Sequence, residues 1–547
     1  MSRLQFSTWL GLIALAAIIF RLAPGPKIID DAYITFRYAR NLADGYGLVY
    51  NRGEAVYGTT SPLWAITLAL AHKVTGVGYI RLAWFLNALL GGISCVFLGL
   101  AARRLADSSI IALASASLLA FSSIGVLASI SGMETPLYLS ALIAAYWCYL
   151  ADRPALAGLA GGIAVLTRID GALLPCLLLA GLLFQRSWRG LLGFAIVFLV
   201  TVSPWVIYAQ RFYGTIIPHT AIAKWHAYFL PPDQAFLVIS RYLLGLINPD
   251  TNSLAHLFAV APISSLAGLF ALMGLWLIGA AQLVRKNPRF WPIILHPFLV
   301  AGGLIIANPP IFFWYLAPIE PIFTVCALTG VTRLTQAAAF LLVRMRGDLP
   351  QSWQEPAVRV GGAIAAAILF SIFAVRDANS LIRPVNGHIG VAPPGIWLSR
   401  EQKYRQIAKV LDARMHPNDI LCATEIGVLG YYCPVRILDA VGLVSPQCDR
   451  FYPTSRQYLD HNVNYAVPPK LIRTLRPTFF VSFDTFIKNG VLRSRWFLSH
   501  YRLIGRIGGG PFESRYLDIF ERADVMARRR DRPLPVTSHE ENTLTPF

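Results

Sequence analysis

Residues 28–63, IIDDAYITFRYARNLADGYGLVYNRGEAVYGTTSPL, decide the reading of this chain. They follow the first hydrophobic segment directly and set paired carboxylates, Asp30 and Asp31, at a membrane surface. A carboxylate loses solvation near hydrocarbon and is costly there unless it is paired or used, so its location calls for a reason. Within the stretch, AYITFRYARNLA spaces Ile34, Tyr38 and Leu42 on one face and turns Arg37 and Arg40 away, while Gly45 supplies a stop. That pattern predicts an amphipathic helix on or just above the membrane. An N-cap with a first-turn acid accounts for one of the two carboxylates. Two adjacent acids after an apolar span exceed what a cap needs, so structural and catalytic roles both stay open.

Of the 547 residues, 55% are hydrophobic and 14% charged, which predicts a polytopic α-helical membrane protein. Apolar stretches near 4–20, 82–102, 109–130, 135–151, 154–167, 171–184, 190–209, 255–284, 291–308, 310–332 and 360–375 give about eleven transmembrane helices, each needing about 20 residues. No small-residue cleavage site follows the first segment, which continues as RLAPGP, so it reads as an uncleaved anchor. With the N-terminus cytoplasmic, basic residues fall in the expected inside loops at Arg103, Arg104, Arg153, Arg186, Arg189, Arg285, Arg289, Arg333 and Arg346. The pattern holds if residues 61–74, SPLWAITLALAHKV, form an interfacial helix rather than a span. Everything after residue 375 then lies outside.

The expected division is a membrane domain, 1–375, whose first external loop is 24–78 with interfacial helices, an extracytoplasmic α/β domain, 376–525, and a flexible tail, 526–547. In the second part, SREQKYRQIAKVLDARM aligns Ile407, Val410, Leu411 and Met415 on a helical face, and DILCAT, VRILDA, PTFFVSF and RYLDIF are short strand-like runs. The net charge of +19 is largely that of cytoplasmic loops and the tail, so no nucleic-acid partner is expected. Cys95, Cys148, Cys176 and Cys326 lie in apolar segments and read as small core residues. An oxidising compartment permits, without requiring, a disulfide between Cys433 and Cys448.

The string DDAYITFRYARNLADGYGLVYNRGEAVYGTTSPLW resembles the first external loop of GT-C glycosyltransferases, multi-span enzymes that use polyprenyl-phosphate-linked sugars, and in particular that of the mycobacterial terminal β-arabinofuranosyltransferase family. Four further segments resemble that group in order: SGMETPLY at 131–138, LTRIDG at 166–171, YGTIIPHTAIAK at 213–224 and EIGVLGYYCPVRILDAVGLVSP at 425–446. The chain departs from the group's usual residues at Ile169, His219 and Thr60–Ser61. The resemblance implies a GT-C type membrane protein of the bacterial inner membrane with a C-terminal extracytoplasmic α/β domain. It also implies an inverting transfer of a sugar, arabinofuranose by likeness, from a polyprenyl-phosphate donor to a cell-envelope glycan, lipid or protein acceptor at the outer face. In that chemistry a first-loop carboxylate removes the acceptor's proton while its oxygen attacks the anomeric carbon and polyprenyl phosphate leaves.

Asp30 is the expected base, with Asp31 orienting the acceptor or, together with Asp30, holding a divalent cation. The departing phosphate gathers negative charge and needs cations aimed at it. Lys224, Arg37, Arg168 and His219 are the candidates. Each has a plainer role available: Arg168 can pair with Asp170, Arg37 can snorkel to headgroups, and His219 after Pro218 can be a turn residue. Glu134 opens a segment ahead of Pro136, either as a first-turn acid or as a ligand for sugar hydroxyls. Trp314 and Tyr315, in NPPIFFWYLAPIE, either line the substrate cavity or belong to an interfacial aromatic belt. Glu320 is a weaker cavity candidate, and turn or cap roles are the default for Glu425 and Asp439. The rival from another class is a lipid-linked-sugar flippase or transporter. Transporters commonly show two related halves and helices broken at the midplane, neither of which is visible in this sequence.

Overall fold

The computed structural model describes residues 1–228, 230–243, 263–306, 311–346, 381–385, 388–391, 395–460, 463–510 and 514–529. The apolar segments expected from the sequence are largely helical where described, though in 310–332 the long helix begins only at Glu320, and the segment at 360–375 lies outside the described residues. Among the described residues the expected number of spans is not reached. Among the described residues four helices are long and apolar enough to cross a membrane: Arg3–Leu22, Tyr79–Ala106, Trp188–Tyr213 and Pro288–Ile306. A fifth is formed if Ser109–Phe121 and Ser123–Ile130, bent by 43° at Ser122, act as one. Thr135–Leu150, Pro154–Thr167 and Ile169–Phe184 are apolar but shorter. Their ends explain the shortfall. The chain turns with left-handed backbone at Asp152 (φ 57°) after the first and at Arg186 (φ 52°) after the third, and extended backbone at Arg168 ends the second, so each closes before it gains the length of a full span.

Residues 61–74 give a helix, Pro62–Thr75, of only 14 residues. The first-loop helix Asp30–Ala43 forms as expected, but its arginines are not turned away from the packed face. Arg37 is buried along with Tyr33, Phe36, Tyr38 and Ala39, while Ile34 and Leu42 are only partly so. The reason is tertiary: the C-terminal region covers the helix from the other side, and both share one hydrophobic core that runs from Tyr33, Phe36 and Trp64 to Tyr404, Leu429, Phe480 and Ile519. A second core holds the helical bundle, with Leu98, Tyr146, Phe194 and Val325 among its members.

The four strand-like runs are strands of one mixed sheet. A hairpin, β1 (Ile382–Val385) with β2 (His388–Val391), precedes it. The sheet contains β3 (Ile420–Ala423), β4 (Arg436–Asp439), β5 (Phe479–Phe483), β6 (Tyr501–Gly508) and β7 (Tyr516–Arg522) in the order β4-β3-β5-β7-β6. The first three run parallel, and β7 pairs antiparallel with both β5 and β6. Every residue of β5 is buried, as expected of a central strand covered on both faces. The helix Gly395–Asp412 closes the core with Tyr404, Ile407 and Leu411. The tail was expected from residue 526; instead Ala523–Arg528 is helical and Arg529 pairs with Asp419, while 530–547 lie outside the described residues. All seven cysteines are free thiols, Cys433 and Cys448 included, and Cys176 is exposed rather than in the core.

Candidate active site

Asp30 and Asp31 begin the first-loop helix, and the two have different surroundings. Asp30 is 2% exposed. Its Oδ2 accepts from Gly427 N–H at 3.0 Å and its Oδ1 from Val428 N–H at 2.8 Å, so it caps the short helix Gly427–Tyr432 of the C-terminal region. Burial pushes its carboxyl up to about 6, against the pull of Arg400 and the two N–H groups. Asp31, one residue on, is part-exposed, and no hydrogen bond to its carboxylate is formed among the described residues. It lies within electrostatic reach of Lys224, Arg400 and Glu425.

Lys224 sits on the helix His219–Ala227 and donates from Nζ to the Tyr315 hydroxyl at 2.9 Å. The Tyr315 ring in turn carries the Arg168 guanidinium at 4.7 Å from its centroid. Arg168 ends the helix Pro154–Thr167 and grips Asp170 with two bonds of 3.0 Å. A third bond, of 3.1 Å, runs from Arg168 Nη1 to Glu134, the residue that precedes the helix Thr135–Leu150. Lys224, Tyr315, Arg168, Asp170 and Glu134 are therefore one connected group, beside Asp31.

Five residues weighed from the sequence are placed elsewhere. Arg37 is buried rather than extended towards headgroups. It donates to the backbone carbonyls of Tyr50 (2.7 Å), Val435 (3.0 Å) and Gly430 and to Asn51 Oδ1 (3.2 Å), which ties the first loop to the C-terminal region. His219 Nε2 lies 3.2 Å from Asp449 Oδ2, off the line of a hydrogen bond. Trp314 is 2% exposed and stacked on Phe312 at 4.7 Å, which leaves no ring face for a sugar. Glu320 accepts from Ser122 Oγ at 2.6 Å within the bundle. Asp439 closes a turn by accepting from Val441 and Val444 N–H.

One side chain not anticipated from the sequence enters the group. Arg400, on the helix Gly395–Asp412, donates from Nη1 to Glu425 Oε1 at 2.8 Å and lies over the Trp397 ring at 4.4 Å. In sequence it is one basic residue among several on an amphipathic helix, and nothing there points it at Asp31. The divalent cation expected at Asp30 and Asp31 finds no matching donor set. Among the described residues no group of three or more His, Cys, Asp or Glu side chains could hold a metal ion. Asp30 gives one oxygen to each of two N–H groups, so a divalent ion would be left with Asp31 and water, a poor set for a hard cation.

The fold is that of the GT-C glycosyltransferases. ArnT from Cupriavidus metallidurans, solved bound to undecaprenyl phosphate, superposes with a TM-score of 0.51 over 95% of this chain and 98% of its own, at 15% identity. The Archaeoglobus fulgidus oligosaccharyltransferase tethered with an acceptor peptide gives 0.53 over 98% of this chain and 75% of its own, at 14% identity. In sequence the chain is similar to the terminal β-(1→2)-arabinofuranosyltransferase of Mycobacterium tuberculosis, 30% identical over 331 residues that make up 56% of this chain and 49% of that protein. The chain thus spans about half the length of the curated relative it matches. Residues 394–527 match a domain of unknown function (DUF8728).

Proposed function

We propose that the chain is a membrane glycosyltransferase that moves an arabinofuranosyl group from a polyprenyl-phosphate donor to a hydroxyl of a cell-envelope acceptor at the outer face of the bilayer. Asp31 is the general base. The acceptor oxygen attacks the anomeric carbon, Asp31 takes its proton, and polyprenyl phosphate leaves with the bonding electrons, inverting the centre. Lys224, with Tyr315 and Arg168 behind it, faces the departing phosphate, where positive charge lowers the barrier most. Asp30 is a positioning residue that fixes the start of the first-loop helix against the C-terminal region.

The observation that carries this reading is the contrast between the two carboxylates: Asp30 is committed to two backbone N–H groups, whereas Asp31 has no hydrogen-bond partner among the described residues and stands beside Lys224. A base must keep a lone pair available to the substrate. The similarity to an arabinofuranosyltransferase, and the undecaprenyl phosphate bound to the ArnT of like fold, support the donor class.

The test is transfer of labelled arabinofuranose from a synthetic polyprenyl-phosphate donor by purified protein. Asp31→Asn is expected to lower kcat by about 10³-fold, the order that a positioned base supplies, while the donor still binds. Transfer by Asp31→Asn at the wild-type rate would sink the assignment.

A further inference from the structure

Arg400 and Glu425 are charged side chains that the C-terminal region brings near Asp31, and neither is fully engaged. Their side chains are 5% and 12% exposed. One bond joins them, Nη1 to Oε1. Arg400 Nε and Glu425 Oε2 are both buried with no hydrogen-bond partner among the described residues. Buried polar atoms are nearly always satisfied, so an unpaired donor and an unpaired acceptor on the same ion pair call for an explanation.

We infer that the Arg400–Glu425 pair is a subsite for a neutral polyol, binding the sugar of the acceptor through a hydroxyl next to the one that attacks. This rests on the reading of Asp31 as the base. The charges favour a neutral ligand over a phosphate: Asp30 and Asp31 set negative charge beside the Arg400 cation. The opposite wall, Lys224 with Tyr315 and Arg168, carries the cations for an anion. A hydroxyl is both donor and acceptor and fits both orphaned atoms, taking Nε–H from Arg400 and sharing a proton with Glu425 Oε2. Burial pushes the Glu425 carboxyl up to about 8, against the pull of Arg400 and with Asp30 and Asp31 adding to the rise, so at neutral pH Oε2 can also donate. The subsite therefore selects a sugar acceptor, and the C-terminal region completes the active site rather than merely covering it.

The experiment uses the full chain in detergent, with methyl α-D-arabinofuranoside as the acceptor probe. Saturation-transfer NMR is expected to show the glycoside bound to wild type and not to Glu425→Ala. In the transfer assay Glu425→Ala is expected to raise KM for the glycoside at least tenfold with kcat within threefold. Glu425→Gln, which keeps the shape and a donor, should recover KM to within threefold of wild type. Should Glu425→Ala not fold, Arg400→Lys, which keeps the charge and removes Nε–H, must raise KM likewise. Equal binding by wild type and the variants, no binding by wild type, or a fall in kcat with KM unmoved would overturn the subsite. A wild type that binds the glycoside and transfers from no polyprenyl-phosphate sugar would instead remove the transferase reading and leave the sugar subsite standing.

Discussion

Asp30 spends an oxygen on each of two N–H groups at the start of the Gly427–Tyr432 helix, and it does so from an almost fully buried position. Its carboxyl is held up at about 6 because burial penalises the charged form more than Arg400 and the N–H groups favour it. A folded value above the ordinary carboxylate range means that the folded protein binds the proton more tightly than the unfolded chain. Stability is then fullest below about pH 4 and is lost as pH rises towards about 6, a change of about 3 kcal/mol for a shift of this size. Asp439, also raised to about 6 by burial, falls in the same window. Thermal denaturation of detergent-solubilised wild type between pH 4 and 7 should therefore show a declining midpoint. Asp30→Asn should reduce the slope without flattening it, since Asp439 remains. Identical slopes would refute the buried titration. The sequence placed both acids at the site by their position after the first span. It favoured Asp30 as the base, the reverse of the roles proposed above, because the groups that occupy Asp30 lie 397 and 398 residues away and leave no local signal.

The first loop and the segment 426–437 are joined as two closely fitted elements. Besides the Asp30 cap, Tyr50 Oη donates to Ile426 O at 2.6 Å, Arg40 donates to Tyr431 O at 2.9 Å, and Asn51 both accepts from Ile437 N–H and donates to Ile437 O. Such proximity needs glycine at two positions. A Cβ at Gly427 would collide with the Asp30 carbonyl, and one at Gly430 with the Tyr50 hydroxyl. Backbone does not give way as a flexible side chain does, so Gly427→Ala should separate Asp30 from its cap and lower both the melting temperature and transfer. Ala at Gly25, where nothing lies within 4 Å but φ is +70°, should cost only the backbone strain of a left-handed residue and leave transfer near wild type. Comparable losses in the two variants would mean that the docked contact is not what Gly427 provides. Arg37→Met should be destabilising by more than a surface change, since it leaves the Tyr50, Gly430 and Val435 carbonyls without this donor, at roughly 1–3 kcal/mol for each left unpaired. The helix itself was readable from its apolar spacing, but its burial was not. Periodicity reports one apolar face, and Arg37 entered the interior because backbone carbonyls of a remote segment were there to receive it.

Because the first loop and the C-terminal sheet share one hydrophobic core, the molecule divides differently from the chain. The sequence showed where apolar helices give way to short alternating strands, and the four strand-like runs all pair in the sheet. What it could not show is that Tyr33, Phe36 and Trp64, far upstream, pack with Tyr404, Leu429 and Phe480 rather than with the helical bundle alone. Contacts so distant in sequence leave no local pattern. The consequence is that the link between the bundle and the sheet should not be what holds them together. A protease site placed between residues 350 and 359, ahead of the expected span at 360–375, and cleaved after purification should yield two fragments that stay associated through size-exclusion chromatography in detergent. The nicked protein should unfold in a single transition and keep its transfer activity, since Asp31 and Lys224 on one fragment and Arg400 and Glu425 on the other would still be apposed. Combining the cut with Gly427→Ala should release the C-terminal fragment, as the closest backbone contact between the two is then lost. Fragments that separate after the cut alone would mean that the shared core is too weak to hold the site closed.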